Sequence, residues 1–194
     1  LGLRTGEAAD FETFDELHDA WRAQVDHFVE IKHRGNAIWE RAYAESAQAP
    51  FLSIITDDCI ASGRDYNAGG ARYNTSYIQG VGIGSLTDSF SVLKHQVFDG
   101  SLPMAELLYA VDTDFDGSET LRQRLLNKTP RYGNDDDRAD DLMVRCFRAY
   151  FDAVEGRANL RGGEYHIDML PTTCHVYFGA VMGAMPDGRR AAVP

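Results

Sequence analysis

Apolar residues at Phe14, Leu17, Trp21, Val25, Phe28 and Val29 fall at steps of three and four, which gathers them into one stripe on a helix. Thr13-Phe14-Asp15-Glu16 supplies the start signal, a hydroxyl and a carboxylate spaced to satisfy each other's backbone amides. The pattern runs on through Ile38 and Trp39 to about Ala44, with a bend expected at Gly35, and Ala49-Pro50 ends it. Residues 1–50 therefore read as an amphipathic helical region. The apolar run 51–55 suits either a strand or a helix, and 57–61 suggests a short helix entering Gly63. Further helices are predicted over 88–98 with Asp88 as cap, over 101–111 with Pro103 in the first turn, and over roughly 118–126. A long one spans 136–154, with Leu142, Met143, Cys146, Phe147, Tyr150 and Phe151 inward. Residues 165–170 alternate as a strand, stopped by Pro171.

Between residues 63 and 84 the pattern changes. Gly69, Gly70, Gly80, Gly82 and Gly84 alternate with Arg72, Tyr73, Asn74, Tyr77 and Gln79, too polar for a core element and too aromatic for a linker. An ordered loop with a short strand fits this composition. The stretch from Thr172 to Arg189 reads as a polar helix entry, a helix with Gly179 and Gly183 on one face, and a Pro186-Asp187-Gly188 turn. It follows the 165–170 strand, and strand-to-helix junctions are where α/β folds place ligands.

Net charge is −11, from 30 acidic and 19 basic residues, which disfavours a nucleic-acid partner. No apolar run reaches membrane-span length. Cys59, Cys146 and Cys174 are odd in number and lack a CxxC spacing, so small, half-buried hydrophobes in a reducing cytoplasm are expected. Asp112-Thr113-Asp114-Phe115-Asp116-Gly117 opens like a calcium loop, but its twelfth position is Gln123 and not glutamate. Gly80-Val81-Gly82-Ile83-Gly84 has the wrong glycine spacing for a dinucleotide loop, and no serine sits in a GxSxG elbow. His18, His27, His33, His95, His166 and His175 show no metal-ligand spacing, so no metal is expected; His166 and His175 lie near the ligand-facing junction. The acids at 135–137 and 140–141 suit a helix N-terminus.

Three blocks in order resemble the glycyl radical enzymes related to pyruvate formate-lyase: Gly69-Gly70-Ala71-Arg72-Tyr73-Asn74 with Gly80–Gly84 and Thr87-Asp88-Ser89; Lys128-Thr129-Pro130-Arg131-Tyr132-Gly133-Asn134-Asp135; and His175 to Arg189. Within that family the wording is most similar to the dehydratases of trans-4-hydroxy-L-proline, which form a pyrroline carboxylate. The resemblance implies a segment of a ten-stranded α/β barrel, helix-rich, with residues 1–194 part of a single barrel domain and 51–194 supplying barrel strands and helices. It implies a glycyl radical carried on a loop outside this chain, and a thiyl-forming cysteine followed two residues later by a glutamate base. Neither loop is in the sequence: no cysteine here begins Cys-x-Glu, and Arg-Val-x-Gly-Tyr is absent. No catalytic residue is therefore assigned. The chain is expected to be an interior slice of a longer polypeptide, inactive alone. Thr172 matches a substrate-contacting threonine of the hydroxyproline enzymes and also suits a helix N-cap, while Arg72, Tyr73, Asn74 and Arg189 are expected to be structural. The partners implied are a small-molecule substrate, a radical S-adenosylmethionine activating enzyme with an iron–sulfur cluster, and a second copy in a homodimer. Other lyases of the family, acting on diols, choline, sulfonates or pyruvate, are the alternative, and a non-catalytic structural or binding module is the alternative outside enzymes.

Overall fold

The computed structural model describes residues 2–169 and 173–193. Helices α1 (Phe14–Ser46), α2 (Pro50–Ile55) and α3 (Cys59–Ser62) precede strand β1 (Ser76–Gln79). Helix α4 (Ile83–Val92) continues into a π-helical turn, Leu93–Phe98, and α5 (Met104–Asp112), α6 (Glu119–Lys128) and α7 (Asp137–Val154) follow. Strand β2 (Tyr165–Asp168) then leads toward α8 (His175–Val181). The strands pair in parallel, Ser76 opposite Tyr165 through Gln79 opposite Asp168. Parallel neighbours need a crossover, and α4 to α7 supply it.

The chain forms two compact units. One comprises residues 1–3, 24–80 and 150–169, and the other 4–23, 81–149 and 170–194. The first is built on the strands: Ile78 and Tyr165 pack with Val29, Ala153 and Val154, so α1 and the end of α7 cover one face of the sheet. Tyr165 is 1 % exposed, and its burial with that of Ile78 and Val154 contributes about 1.5–3 kcal/mol per side chain. The second unit has two cores. Phe14, Phe90, Leu142 and Cys146 form one, and Val92, Leu102, Leu107, Ala110, Phe115 and Leu125 the other.

The capping box forms as read: Thr13 Oγ1 accepts from Glu16 N–H at 3.2 Å, and the Glu16 carboxylate accepts from Thr13 N–H at 3.2 Å. Helix α1 runs unbroken past Gly35 to Ser46. Its apolar stripe is buried only in part. Phe28 is half exposed and Ile38 and Trp39 are largely so, because local periodicity does not reveal which part of a long helix finds a partner. The 51–55 run is helical and mostly exposed. Asp88 does not cap a helix: α4 starts earlier, behind Gly82 at φ +86°, and Asp88 lies inside it. Pro103 sits just before α5 and not within its first turn. Gly183 lies beyond the end of α8, so the two glycines do not share a helix face. In the 112–117 loop Phe115 is fully buried at φ +59°, an anchor whose burial offsets a left-handed backbone that costs about 1–2 kcal/mol.

His18 stands in an aromatic cage of Phe14, Trp21 and Phe90, with ring centroids 5.4–6.2 Å away and neither ring nitrogen hydrogen-bonded. Burial, aided by Arg145, lowers its pKa. The unfolded chain then binds the extra proton, so His18 favours the folded state fully above about pH 6.5 and less as pH falls below that. Thermal melts between pH 7.5 and 5 should show a loss of stability that His18→Leu makes shallower; equal slopes in the two proteins would contradict the assignment.

Candidate functional site

Alternation along the two strands separates two sets of side chains. Ser76, Ile78, Tyr165 and Ile167 share the helix-covered face, and Tyr77, Gln79, His166 and Asp168 stand on the other. Register sets Tyr77 beside His166 and Gln79 beside Asp168, giving an open polar patch. Glu155, just past α7, holds two groups of β2: one oxygen takes a short hydrogen bond from His166 Nδ1, and the other accepts from Ile167 N–H at 3.2 Å. The His166 bond keeps the Glu155 carboxyl below its ordinary range. A carboxylate can only accept, so it fixes the hydrogen on Nδ1 and leaves Nε2 for the open face.

The strand ends are tightly built. Gly80 N–H donates to Asp168 O at 2.8 Å, and a Cβ on Gly80 would lie 2.8 Å from both Met169 Sδ and the Tyr150 ring. The Tyr150 hydroxyl donates to Ile78 O at 2.5 Å. Burial, with the Asp168 charge, pushes that phenol up to about 12, so it remains a donor at neutral pH. Beyond Met169 the sequence enters Leu170-Pro171-Thr172. Thr172 lies outside the described residues.

At the opposite ends of the strands, Glu40 of α1 accepts from Ser76 Oγ at 2.5 Å, Tyr165 Oη at 3.1 Å and Leu160 N–H at 2.9 Å. Asn159 donates to Asn74 O and Ser76 Oγ and accepts from Arg161 and Gly163 N–H. Beside them is a cleft of about 320 Å³ whose lining includes Trp39, Tyr43, Asn67, Tyr77 and Arg161. Glu40, Tyr150, Glu155 and Asn159 did not stand out in the sequence, because most of what they bind is remote in the chain. For Glu40 and Ser76 the separation is 36 residues.

In the second unit three sequence blocks converge on Arg131. Its guanidinium meets Asp88 Oδ2 at 2.9 Å and donates to Asp187 O at 2.5 Å and Leu126 O at 3.1 Å. Asp88 also accepts from Tyr132 N–H at 2.9 Å. The Asp187 side chain, whose carboxyl burial pushes upward, accepts from Arg189 N–H. Arg189 itself donates to Val193 O and Gly183 O, Arg72 pairs with Asp58, and Asn74 donates to Ala71 O, while Tyr73 is exposed. Asp114, from the calcium-like loop, accepts from Ala191 N–H and Arg190. Among the described residues no cluster of three or more His, Cys, Asp or Glu could hold a metal.

The sequence model of the pyruvate formate lyase-like family matches residues 1–179. The chain belongs to that family. It is 50 % identical, over its whole length, to a trans-4-hydroxy-L-proline dehydratase of Clostridioides difficile and spans 25 % of that protein. It superposes with a TM-score of 0.96, at 49 % identity, on a crystal structure of the hydroxyproline dehydratase from Clostridioides difficile with trans-4-hydroxy-L-proline bound, covering all of this chain and 25 % of that one. A glycerol-bound B12-independent glycerol dehydratase from Clostridium butyricum matches with a TM-score of 0.94 at 36 % identity, again over the whole chain and 25 % of the other. The chain thus spans about a quarter of the length of the relatives it matches, and it is a helix-rich segment of an α/β barrel of the glycyl radical enzyme type.

The residues present do not fit the family's radical group. Cys59, Cys146 and Cys174 are followed at the second position by Ala61, Arg148 and Val176. Burial pushes the Cys146 thiol up to about 12, which suppresses the thiolate. No step through a glycyl or thiyl radical is derived from these side chains. Among the described residues no helix is long and apolar enough to cross a membrane.

Proposed function

We propose that this chain is one part of a longer cytoplasmic polypeptide, a single barrel domain that dehydrates trans-4-hydroxy-L-proline to a pyrroline carboxylate. The radical glycine, the thiyl cysteine and its glutamate base lie outside these 194 residues. A radical S-adenosylmethionine enzyme installs the radical, and the working form is a homodimer. What supports the substrate is the 50 % identity to the hydroxyproline dehydratase along the entire chain, against 36 % to the glycerol enzyme. Within the chain, Thr172 contacts the substrate: its position after β2, at a strand-to-helix passage, suits a hydroxyl that both donates and accepts.

The test is an anaerobic assay of the longest polypeptide containing this chain, activated, against hydroxyproline, glycerol and propanediol. Hydroxyproline turnover is the expected result, and turnover of a diol without hydroxyproline would replace the substrate. Thr172→Ala should raise KM about tenfold, near the 1.4 kcal/mol of one hydrogen bond, with kcat changed less. An unchanged KM would remove Thr172 from the pocket.

A further inference from the structure

Helix α1 carries a second apolar face. Val25 and Val29 pack into the sheet core, the His33 ring meets Tyr165 edge-on at 4.6 Å, and Glu40 holds Ser76 and Tyr165. Residues 25, 29, 33 and 40 therefore mark the side turned to the sheet. Phe28, Ile31, Gly35, Ile38 and Ala42 repeat at steps of three and four on a line about 140° round the helix from it, at about 100° per residue. Phe28, Ile31 and Ile38 are 48 %, 43 % and 72 % exposed. This is the spacing of a helix-to-helix seam, about 20 Å long, and the described residues leave it open.

Gly35 lies at the midpoint of that seam. Helix α1 runs unbroken through it, although glycine is among the poorest helix formers, and a Cβ there would meet nothing within 4 Å. Nothing in this chain requires the missing side chain. A second helix crossing at that point does, because its absence lets the two backbones come close. The borders of the seam are basic. His27, Arg34 and Arg41 stand along one side and Lys32 along the other, on a chain whose net charge is −11; Glu45 falls beyond the last apolar position. Lys32 and Arg41 pair with no carboxylate among the described residues, and Arg34 reaches Glu30 only at 3.8 Å, with both side chains more than half exposed.

An apolar centre rimmed by solvated charge is the anatomy of an interface that also stands open in water, whereas permanent contacts are more apolar. A second copy is a poor occupant: pairing this seam with itself, parallel or antiparallel, sets basic border against basic border. We infer that the 28–42 face of α1 is a docking site for an amphipathic helix of another protein, one with apolar residues at three-and-four spacing and acidic residues along both borders. That helix crosses closest at Gly35, seats its apolar residues against Phe28, Ile31 and Ile38, and pairs its carboxylates with Lys32, Arg34 and Arg41. The docking site goes beyond the proposed reaction and does not rest on its substrate.

The test uses the longest polypeptide containing this chain, unactivated, and two labelled synthetic helices of about 20 residues, alike in their leucines and differing in flanking glutamate or lysine. By fluorescence anisotropy the glutamate helix should bind about tenfold tighter or more, with the gap closing at high salt. Gly35→Leu should weaken that binding about tenfold while melting no lower than the parent, since a Cβ there meets open space and leucine favours the helix. A thiol placed by Ile38→Cys should be alkylated readily in the polypeptide alone and about tenfold more slowly with the glutamate helix bound. Binding of neither helix, equal binding of both, or unchanged affinity in Gly35→Leu would overturn the docking site. Resistance to alkylation at position 38 without any peptide would place the polypeptide's own remainder on the seam and overturn it as well. Hydroxyproline turnover enters none of these readouts, so the two proposals fail separately.

Discussion

Gly70→Ala is expected to cost about 3 kcal/mol or more and to melt the loop that leads into β1. A Cβ at Gly70 would stand 2.0 Å from Arg64 O and 3.0 Å from Asp65 O, both main-chain atoms. Neither can retreat cheaply. Asp65 O accepts from Gly70 N–H at 2.9 Å, and the Asp65 carboxylate is tied to Ala49 N–H, Ser53 Oγ and Asn67 N–H at 2.7–2.9 Å. The neighbouring Gly69 is equally confined, at φ +79° with its missing Cβ 2.2 Å from Arg161 O. Gly84→Ala is the matched control: within α4 the nearest atom would be Tyr132 Cδ1 at 3.9 Å, and alanine there should be neutral or stabilising by up to about 1 kcal/mol. Urea denaturation of both variants measures the contrast, and equal midpoints would contradict it.

The second large effect is expected at Arg131. Arg131→Met removes an ion pair to Asp88 in which both side chains are less than a quarter exposed, and it strips donors from two carbonyls. Leaving Asp88 without its cation should cost about 3 kcal/mol. Arg131→Lys should recover only part of this, because a single ammonium cannot span three acceptors that a planar fork reaches together. A double-mutant cycle with Asp88→Asn isolates the pair, with a coupling of about 1–2 kcal/mol expected. A loss below about 0.5 kcal/mol for Arg131→Met would show that the convergence of the three blocks does not hold the unit together.

These two sites mark how far local pattern carries. Helix α1, its capping box, α7 and β2 were legible because periodicity and start signals act over a few residues. The Gly69-Gly70 block was legible as an ordered loop, but not the reason for its glycines, since Arg64 and Arg161 carbonyls approach them from outside the motif. Asp88 was misplaced as a cap. An aspartate at a helix-like boundary is a good local cap, and only the fold brings Arg131, 43 residues on, to claim it. The Gly179 and Gly183 pairing failed for a related reason: α8 ends at Val181, short of Gly183 and of the Pro186-Asp187-Gly188 turn.

By itself the sequence determined the family, through three ordered blocks, and most of the helices, through apolar periodicity. It also established that neither the Cys-x-Glu nor the radical-loop signature is present, since a missing motif needs no geometry to be seen. Only the tertiary structure decided which face of the sheet lies against the helices and which is left polar. It alone made Arg131 the meeting point of those blocks and set the segment after α7 against the outer edge of β2. Each of these depends on contacts between residues tens of positions apart, which side-chain spacing along a chain does not encode and packing imposes.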